Sequence, residues 1–164
     1  MAQEPTPTSR RRAMGLLLAS GAWLISSNAS AQATIHDMHV SRDAGCGCCT
    51  AWADLMRHSG RFRITLTNEA DMGAVKRRLG VPGDLASCHT ARVAGFTIEG
   101  HVPAADVLRL IETNPRGVRG IAVAGMPIGS PGMEQPGMGR DAFDVVAFGA
   151  DGGRSAFAHY AART

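Results

Sequence analysis

The 164-residue chain has little excess charge of either sign. Three of its 17 lysine and arginine residues and one of its 14 acidic residues lie in the first 33 positions, which leaves 14 basic and 13 acidic residues beyond them. A net charge of +1 over that remainder gives no electrostatic basis for binding nucleic acid. The chain also lacks internal repeats, and its 45% apolar composition is ordinary for one buried core.

Common catalytic and nucleotide-binding motifs are absent as well. The sequence contains no Ser-His-Asp set, phosphate-binding loop, paired-carboxylate acid/base site or EF-hand pattern. It therefore gives no motif-based support for a serine hydrolase, a P-loop nucleotide-binding protein, a carboxylate-dependent glycosidase or a calcium sensor. The chemistry has to be sought in the residues that cluster elsewhere.

The first 33 residues have the pattern of an export signal. A polar, arginine-bearing segment precedes an apolar stretch from Ala13 to Ile25, and the signal ends on Ala31-Gln32-Ala33. The apolar stretch is too short and too rich in glycine and serine for a permanent membrane span. We therefore expect a mature protein that begins near Thr34 and lies in the periplasm, where disulfides persist.

Two export routes remain open. The sequence Ser9-Arg10-Arg11-Arg12 resembles a twin-arginine signal, although Ala13 stands where that pattern has a large apolar residue. The ordinary secretory (Sec) route is the alternative.

Three of the four cysteines lie within four residues, at Cys46, Cys48 and Cys49, and the fourth, Cys88, precedes His89. The cluster follows a polar loop and leads into an apolar helical pattern. We therefore expect the sulfurs at a helix N-terminus, where free amide groups and the helix dipole favour thiolate. Thiolate is the form that binds soft metals and attacks disulfides.

Three interpretations of the cysteines stay open at this point. Metal binding is favoured, because three thiols in one turn cannot all pair with one another. A thiol-disulfide oxidoreductase would use the Cys-x-x-Cys pair, Cys46 and Cys49. A structural disulfide framework is the third, since four is an even number. A structural zinc site would need Cys88 and His89 as its second ligand pair.

Apolar periodicity predicts a regular order of elements up to Pro115. The predicted elements are strand 35–41, helix 50–59, strand 62–67, helix 71–79, a hairpin of strands 90–93 and 96–99, and a helix with Pro103 at its first position. This β-α-β-α-β-β-α order is an α/β, thioredoxin-like layout. Loops that follow strands meet at one sheet edge, so Cys88, His89 and His101 are expected to approach the cysteine cluster.

The predicted domain organisation has three parts. Residues 1–33 are the export signal, residues 34–115 form the thioredoxin-like domain, and residues 116–164 pack on that domain. Within the last part, Gly117 to Gly139 is predicted to be a Gly/Pro/Met-rich loop, too punctuated for a regular element. Residues 144–148 and 154–160 are predicted to form a C-terminal hairpin.

The remaining histidines and the loop methionines have weaker claims to a site. His101 gains interest from its predicted position at the cysteine edge, whereas His36, His39, His58 and His159 have no such support. The thioethers of the loop methionines suit Cu(I), but methionine is also flexible apolar filler. These methionines are Met126, Met133 and Met138.

Four ordered motifs resemble one known family. They are Cys46-Gly47-Cys48-Cys49, Ser87-Cys88-His89-Thr90-Ala91, the run from Ile98 to Ala104 that contains Gly100-His101, and the run from Ala124 to Glu134. Together they resemble the Cys-x-Cys-Cys periplasmic copper-resistance proteins often called CopG, long catalogued as a domain of unknown function. The resemblance spans roughly residues 35–134, and the segment after Gln135 lies outside it.

The resemblance implies a thioredoxin-like copper-binding protein that acts in copper resistance and interconverts Cu(I) and Cu(II). It implies a multinuclear, thiolate-bridged centre, and copper ions and other periplasmic copper-handling proteins as partners. The ligands carried over by motif are Cys46, Cys48, Cys49, Cys88 and His101. Whether the protein is an enzyme, and which of its partners delivers the metal, stay open.

Overall fold

The computed structural model describes Met1 and residues 34–164, so the predicted export signal lies outside the described residues. The elements, in chain order, are β1 (His36–Arg42), α1 (Gly47–His58), β2 (Phe62–Asn68), α2 (Met72–Leu79), β3 (His89–Val93), β4 (Phe96–Glu99), α3 (Ala104–Thr113), β5 (Val118–Ala122), β6 (Phe143–Gly149) and β7 (Arg154–Tyr160). The predicted order of elements is confirmed through α3. A mixed α/β fold results.

One seven-stranded sheet has the order β2-β1-β3-β4-β5-β6-β7. Strand β1 is parallel to β2 and antiparallel to β3, as expected for a helical crossover followed by a hairpin. The predicted C-terminal hairpin is also confirmed, since β6 and β7 pair antiparallel at the sheet edge. The end of the chain therefore extends the sheet that carries the cysteine segment.

The prediction of a continuous loop from Gly117 to Gly139 is wrong at its start. Strand β5 lies within that range, parallel to β4 and antiparallel to β6. Its middle residue is Gly120, and a glycine in this position interrupts the alternating pattern from which a strand is predicted. A Cβ at this position would collide with the Thr97 carbonyl oxygen and come within 2.7 Å of the Phe148 ring. Only glycine fits this central strand, although glycine is ordinarily a poor strand residue.

The helix ends follow ordinary capping chemistry. Asp71 caps α2 by accepting a 2.8 Å hydrogen bond from the Ala74 amide, and Gly80 ends that helix in the left-handed conformation. Helix α1 begins at Gly47, three residues earlier than predicted, and Pro103 is the N-cap of α3 instead of its first residue. Within the part of the chain that is described, no helix is both long and apolar enough to cross a membrane.

The core joins the apolar stripes of α1 and α3 to alternating residues of the sheet. Its fully buried members include Trp52, Met56, Val107, Leu110 and Ile121. A smaller cluster contains Leu85, Ala122 and Phe148. Because successive side chains of a strand point to opposite faces, Ile121 and Ala122 place these two clusters on opposite sides of the sheet.

Candidate metal centre

The cysteine cluster lies at the start of α1, as the sequence predicts. Cys46 is the N-cap in extended conformation, and Cys48 and Cys49 are in the first turn, which contains no acidic residue. Arg42 donates a 3.0 Å hydrogen bond to the Cys46 carbonyl oxygen and so holds the incoming loop. The cysteines thus lie beside the free amide groups of the first turn, at the positive end of the helix dipole.

Cys46 and Cys49 are joined by a disulfide, and Cys48 and Cys88 are free thiols. The sequence left the pairing open, because four cysteines allow three pairings. The Cα atoms of Cys46 and Cys49 are 5.4 Å apart across one helical turn, which suits a disulfide. The site therefore holds one oxidised pair and two reduced sulfurs side by side.

Cys88 meets the cluster from a separate loop. Its Sγ is 3.9 Å from the Cys48 Sγ, which in turn is 3.5 Å from the Cys46 Sγ. The four sulfurs all lie within 4.8 Å of one another. Burial and the neighbouring Cys48 raise the pKa of Cys88 to about 12, so its thiol is protonated at neutral pH in the metal-free protein.

Two buried histidines contact Cys88 from its other side. The Cys88 Sγ is 3.0 Å from the His101 Nε2 and 3.3 Å from the His89 Nδ1. These three donor atoms form a second group whose members lie within 4.8 Å of one another. Burial lowers the pKa of both imidazoles, that of His89 especially, which keeps them neutral and able to bind a metal. Cys88 is the residue that the two groups share.

His89 lies in the second donor group, although the ligand set carried over by motif does not include it. Its ring is fully buried against Trp52, with the ring centroids 4.3 Å apart, and its Nε2 has no hydrogen-bond partner among the described residues. Trp52 is itself fixed by a 2.9 Å hydrogen bond from its Nε1 to the Val102 carbonyl oxygen. A signal was present in the sequence, because His89 directly follows Cys88 and therefore lies beside the thiol wherever its ring points.

A buried ion pair supports the loop that carries Cys88. Glu99 is fully buried and accepts hydrogen bonds from the Lys76 Nζ at 2.5 Å, the Ser87 amide at 2.6 Å and the Thr90 hydroxyl at 2.7 Å. Burial raises the pKa of Glu99, and the Lys76 charge opposes that shift. Because Ser87 precedes Cys88 directly, the Glu99 carboxylate fixes the backbone next to the Cys88 thiol.

The other histidines occupy different places. His58 contacts the Asp54 carbonyl oxygen of its own helix, His39 contacts Thr67, and His159 pairs with Asp144 on the exposed hairpin. His36 packs near Phe62 at the far end of β1. All four lie outside the two donor groups, and the sequence gave no support for placing them in a site.

The Gly/Met-rich segment reaches the site through its backbone. The Pro131 carbonyl oxygen accepts a 2.8 Å hydrogen bond from the His101 Nδ1, and Gly132 lies against the first turns of α1. Met126 and Met138 are about half exposed (53% and 54%). The methionine ligation that the sequence left open stays a prediction.

Comparison with known proteins gives one matching family model and no curated relative. A family described as a protein of unknown function, DUF411, matches residues 85–133, which contain Cys88, His89 and His101. No curated protein matches the chain.

Two solved structures match over most of the chain. The first, "Copper resistance protein copG- Form 1", is 46% identical, covers 76% of this chain and 97% of its own, and has a TM-score of 0.70. The second, "Copper resistance protein copG- Form 2", is also 46% identical, covers 77% of this chain and 98% of its own, and has a TM-score of 0.71. The chain belongs to the CopG family of copper resistance proteins.

Proposed function

We propose that this protein binds copper ions in the cell envelope through Cys46, Cys48, Cys49, Cys88 and His101, and that it serves copper resistance. One observation carries the proposal. The four sulfurs lie within 4.8 Å of one another although Cys88 comes from a separate loop, and the His101 Nε2 is 3.0 Å from the Cys88 Sγ. Thiolates and neutral imidazole suit Cu(I), and closely spaced thiolates can each bridge more than one ion, in a multinuclear centre.

Copper binding by all four cysteines requires reduction of the Cys46–Cys49 disulfide. Two electrons and two protons convert that bond into two thiols, and metal binding then displaces thiol protons. The reduced protein therefore offers four sulfurs to copper, and the oxidised protein offers Cys48 and Cys88 with the histidines. We expect the two states to differ in copper stoichiometry.

The same chemistry supports interconversion of copper oxidation states. Two Cu²⁺ ions accept one electron each from the Cys46 and Cys49 thiols, the sulfur-sulfur bond forms, and two protons leave. The reverse reaction oxidises two Cu⁺ ions and restores the two thiols. In this proposal the fold places the sulfurs, and electrons pass between sulfur and metal without any other group.

Copper binding is tested with the mature protein, residues 34–164, reduced and kept without oxygen. Titration with Cu(I) against a chromogenic Cu(I) chelator should give at least one copper per chain and a cysteine-dependent near-ultraviolet charge-transfer band. The disulfide form, titrated in parallel, should bind fewer ions. A reduced protein that fails to compete with a weak chelator contradicts the proposal.

Interconversion is tested by electron counting. The reduced protein is mixed with Cu(II), the Cu(I) formed is measured with the chelator, and the remaining thiols are counted. Two Cu(I) ions for each disulfide formed is the expected ratio. Disulfide formation without Cu(I), or no reaction at all, removes the redox part of the proposal and leaves copper binding standing.

The second candidate function is thiol-disulfide oxidoreduction by Cys46 and Cys49. The disulfide between these residues at the N-terminus of α1 favours it. The order β2-β1-β3-β4, with β1 parallel to β2 and β3 antiparallel to both of its neighbours, also supports the thioredoxin-like description. Against it, the Cys48 Sγ lies 3.5 Å from the Cys46 Sγ and offers a competing thiol. Insulin reduction as fast as by a thioredoxin, unaffected by a copper chelator, would favour this candidate.

We also propose export to the periplasm by residues 1–33, on the basis of their sequence pattern. Expression of the full chain in a Gram-negative host, followed by periplasmic extraction and N-terminal mass analysis, should give a chain that begins near Thr34. A cytoplasmic protein that keeps residues 1–33 contradicts this proposal.

A further inference from the structure

The segment of residues 127–134, here called the strap, joins the two halves of the candidate site. At one point the Pro131 carbonyl oxygen accepts a 2.8 Å hydrogen bond from the His101 Nδ1. At the next residue the strap packs on the cysteine helix: a Cβ on Gly132 would lie 2.7 Å from the Trp52 amide nitrogen and 3.2 Å from the Cys48 carbonyl oxygen. The strap thus contacts both His101 and the helix turn that carries the thiols.

The strap has its own hydrogen bonds and is not a loose loop. Ser130 is fully buried and donates from both its amide, at 3.1 Å, and its hydroxyl, at 2.7 Å, to the Pro127 carbonyl oxygen. Met133 donates to the Ser130 carbonyl oxygen at 2.8 Å, and Gly129 donates to the Met133 carbonyl oxygen at 3.0 Å. These bonds hold the Pro131 carbonyl in a fixed direction.

The hydrogen bond to Pro131 determines the tautomer of His101. A carbonyl oxygen can only accept, so the Nδ1 of His101 carries the hydrogen. The neutral ring then has its lone pair on Nε2, the atom 3.0 Å from the Cys88 Sγ. Partners of this kind, which bond to the second nitrogen of a metal-ligating histidine, fix its tautomer and its orientation.

We propose that the strap is a positioning element that commits His101 to the Nδ1–H tautomer and aims its Nε2 at the thiols. Gly132 is the residue that makes this possible, because its φ of +83° and its contact with the Trp52 backbone leave no space for a side chain. The predicted effect of the strap on Cu(I) affinity rests on the proposed copper site. Its structural part, the tautomer, holds without metal.

The tautomer is read directly from the reduced, metal-free wild-type protein by two-bond ¹H–¹⁵N correlation of the histidine rings. His101 should show Nδ1 as the protonated nitrogen and Nε2 as the unprotonated one. A ring protonated at Nε2, or one that exchanges between tautomers, overturns the inference. This readout does not depend on copper, so it stands even if the protein binds none.

The strap's effect on copper is tested with Gly132→Ala and a matched control. Gly137 has a similar φ of +77°, but a Cβ there meets nothing within 4 Å, so Gly137→Ala carries the same backbone strain without the collision. Gly132→Ala should lose the single His101 tautomer and bind Cu(I) about tenfold more weakly, no more than the loss expected when His101 itself is removed. Gly137→Ala should match the wild type in both measurements.

Two outcomes separate this inference from the proposed function. A Gly132→Ala protein that keeps the Nδ1–H tautomer and wild-type Cu(I) affinity overturns the strap's role while copper binding stands. A wild type that shows the tautomer but binds no Cu(I) overturns the copper site while the strap's effect on His101 stands. If Gly132→Ala does not fold, Ser130→Ala, which removes only the hydroxyl bond to Pro127, takes its place under the same criteria.

Discussion

The Cys88 Sγ and the His101 Nε2 face each other at 3.0 Å. Cys88 carries a proton and the facing ring nitrogen carries none, because His101 uses its own ring hydrogen on the Pro131 carbonyl oxygen and burial raises the pKa of Cys88 to about 12. In the metal-free protein, one of these two candidate donor atoms therefore carries a proton. Copper that binds both atoms has to displace it.

Copper binding should therefore release protons, and the apparent Cu(I) affinity of the reduced protein should rise with pH. Each proton released per copper adds about one tenfold step per pH unit. Affinity measured by chelator competition at pH 6, 7 and 8 should show this rise, and Cys88→Ser should show a smaller slope because one displaced proton is lost. An affinity independent of pH would show that the thiols are already ionised, contrary to the raised pKa of Cys88.

Replacing His101 should weaken copper binding less than replacing a cysteine. His101→Ala removes one neutral donor, and the remaining thiolates can partly rearrange around the metal, so we expect a loss of about tenfold, or about 1.4 kcal/mol. The control is His58→Ala, since His58 lies on the exposed end of α1 and its ring hydrogen-bonds only to its own helix in the described structure. Copper affinity of the His58 variant below that of wild type would undermine the assignment.

His89 should make the metal-free protein less stable in acid. Burial lowers its pKa well below the ordinary value, so the unfolded chain binds a proton that the folded chain does not. Stability is therefore full above about pH 6.5 and falls below it, by up to about 1.4 kcal/mol per pH unit for one histidine. His89→Phe keeps an aromatic ring against Trp52 and removes the titrating group.

Urea denaturation of the reduced, metal-free proteins at pH 5, 6 and 7 measures this difference. The wild type should lose more free energy of unfolding than His89→Phe as the pH falls. His101, whose pKa is also lowered by burial, is present in both proteins, so the difference between the two profiles reports His89 together with its coupling to His101. Parallel pH profiles for the two proteins would show that the pKa of His89 does not differ between the folded and the unfolded protein.

Glu99→Gln should destabilise the fold by about 3 kcal/mol, because it leaves the Lys76 ammonium without its buried partner. The double variant Glu99→Gln with Lys76→Met should recover part of that loss, since the unpaired charge is gone. Asp37→Asn breaks the exposed pair with Arg63 and serves as the control, with an expected change of no more than about 1 kcal/mol. Equal effects for the buried and exposed pairs in chemical denaturation would contradict this account of Glu99.

The position of the cysteines was predictable because it depends on local signals. A polar loop, a Cys-rich turn and the apolar stripe of Trp52 and Met56 together predict a helix N-terminus, and α1 begins there. The approach of Cys88 and His101 followed from topology, since loops at one sheet edge converge. Both predictions needed only periodicity and chain order.

The features that escaped prediction depend on contacts between distant residues. Strand β5 was missed because Gly120 is required by the close approach of Thr97 and Phe148, which no local pattern reveals. The Cys46–Cys49 disulfide belongs to one of the three full pairings that four cysteines allow. The role of Pro131 lies in its backbone carbonyl, and every residue has one, so residue type carries no signal for it.

The copper content of Cys88→Ser tests the central claim most directly, because Cys88 alone belongs to both donor groups. Reduced wild type, Cys88→Ser, Cys46→Ser and His58→Ala are loaded with Cu(I), dialysed against a weak chelator and analysed for copper per folded chain, with circular dichroism to confirm the fold. The account predicts that Cys88→Ser loses nearly as much copper as Cys46→Ser while His58→Ala keeps the wild-type content. Wild-type copper content in Cys88→Ser would mean that the local segment from Cys46 to Cys49 suffices, and would contradict a site formed by converging loops.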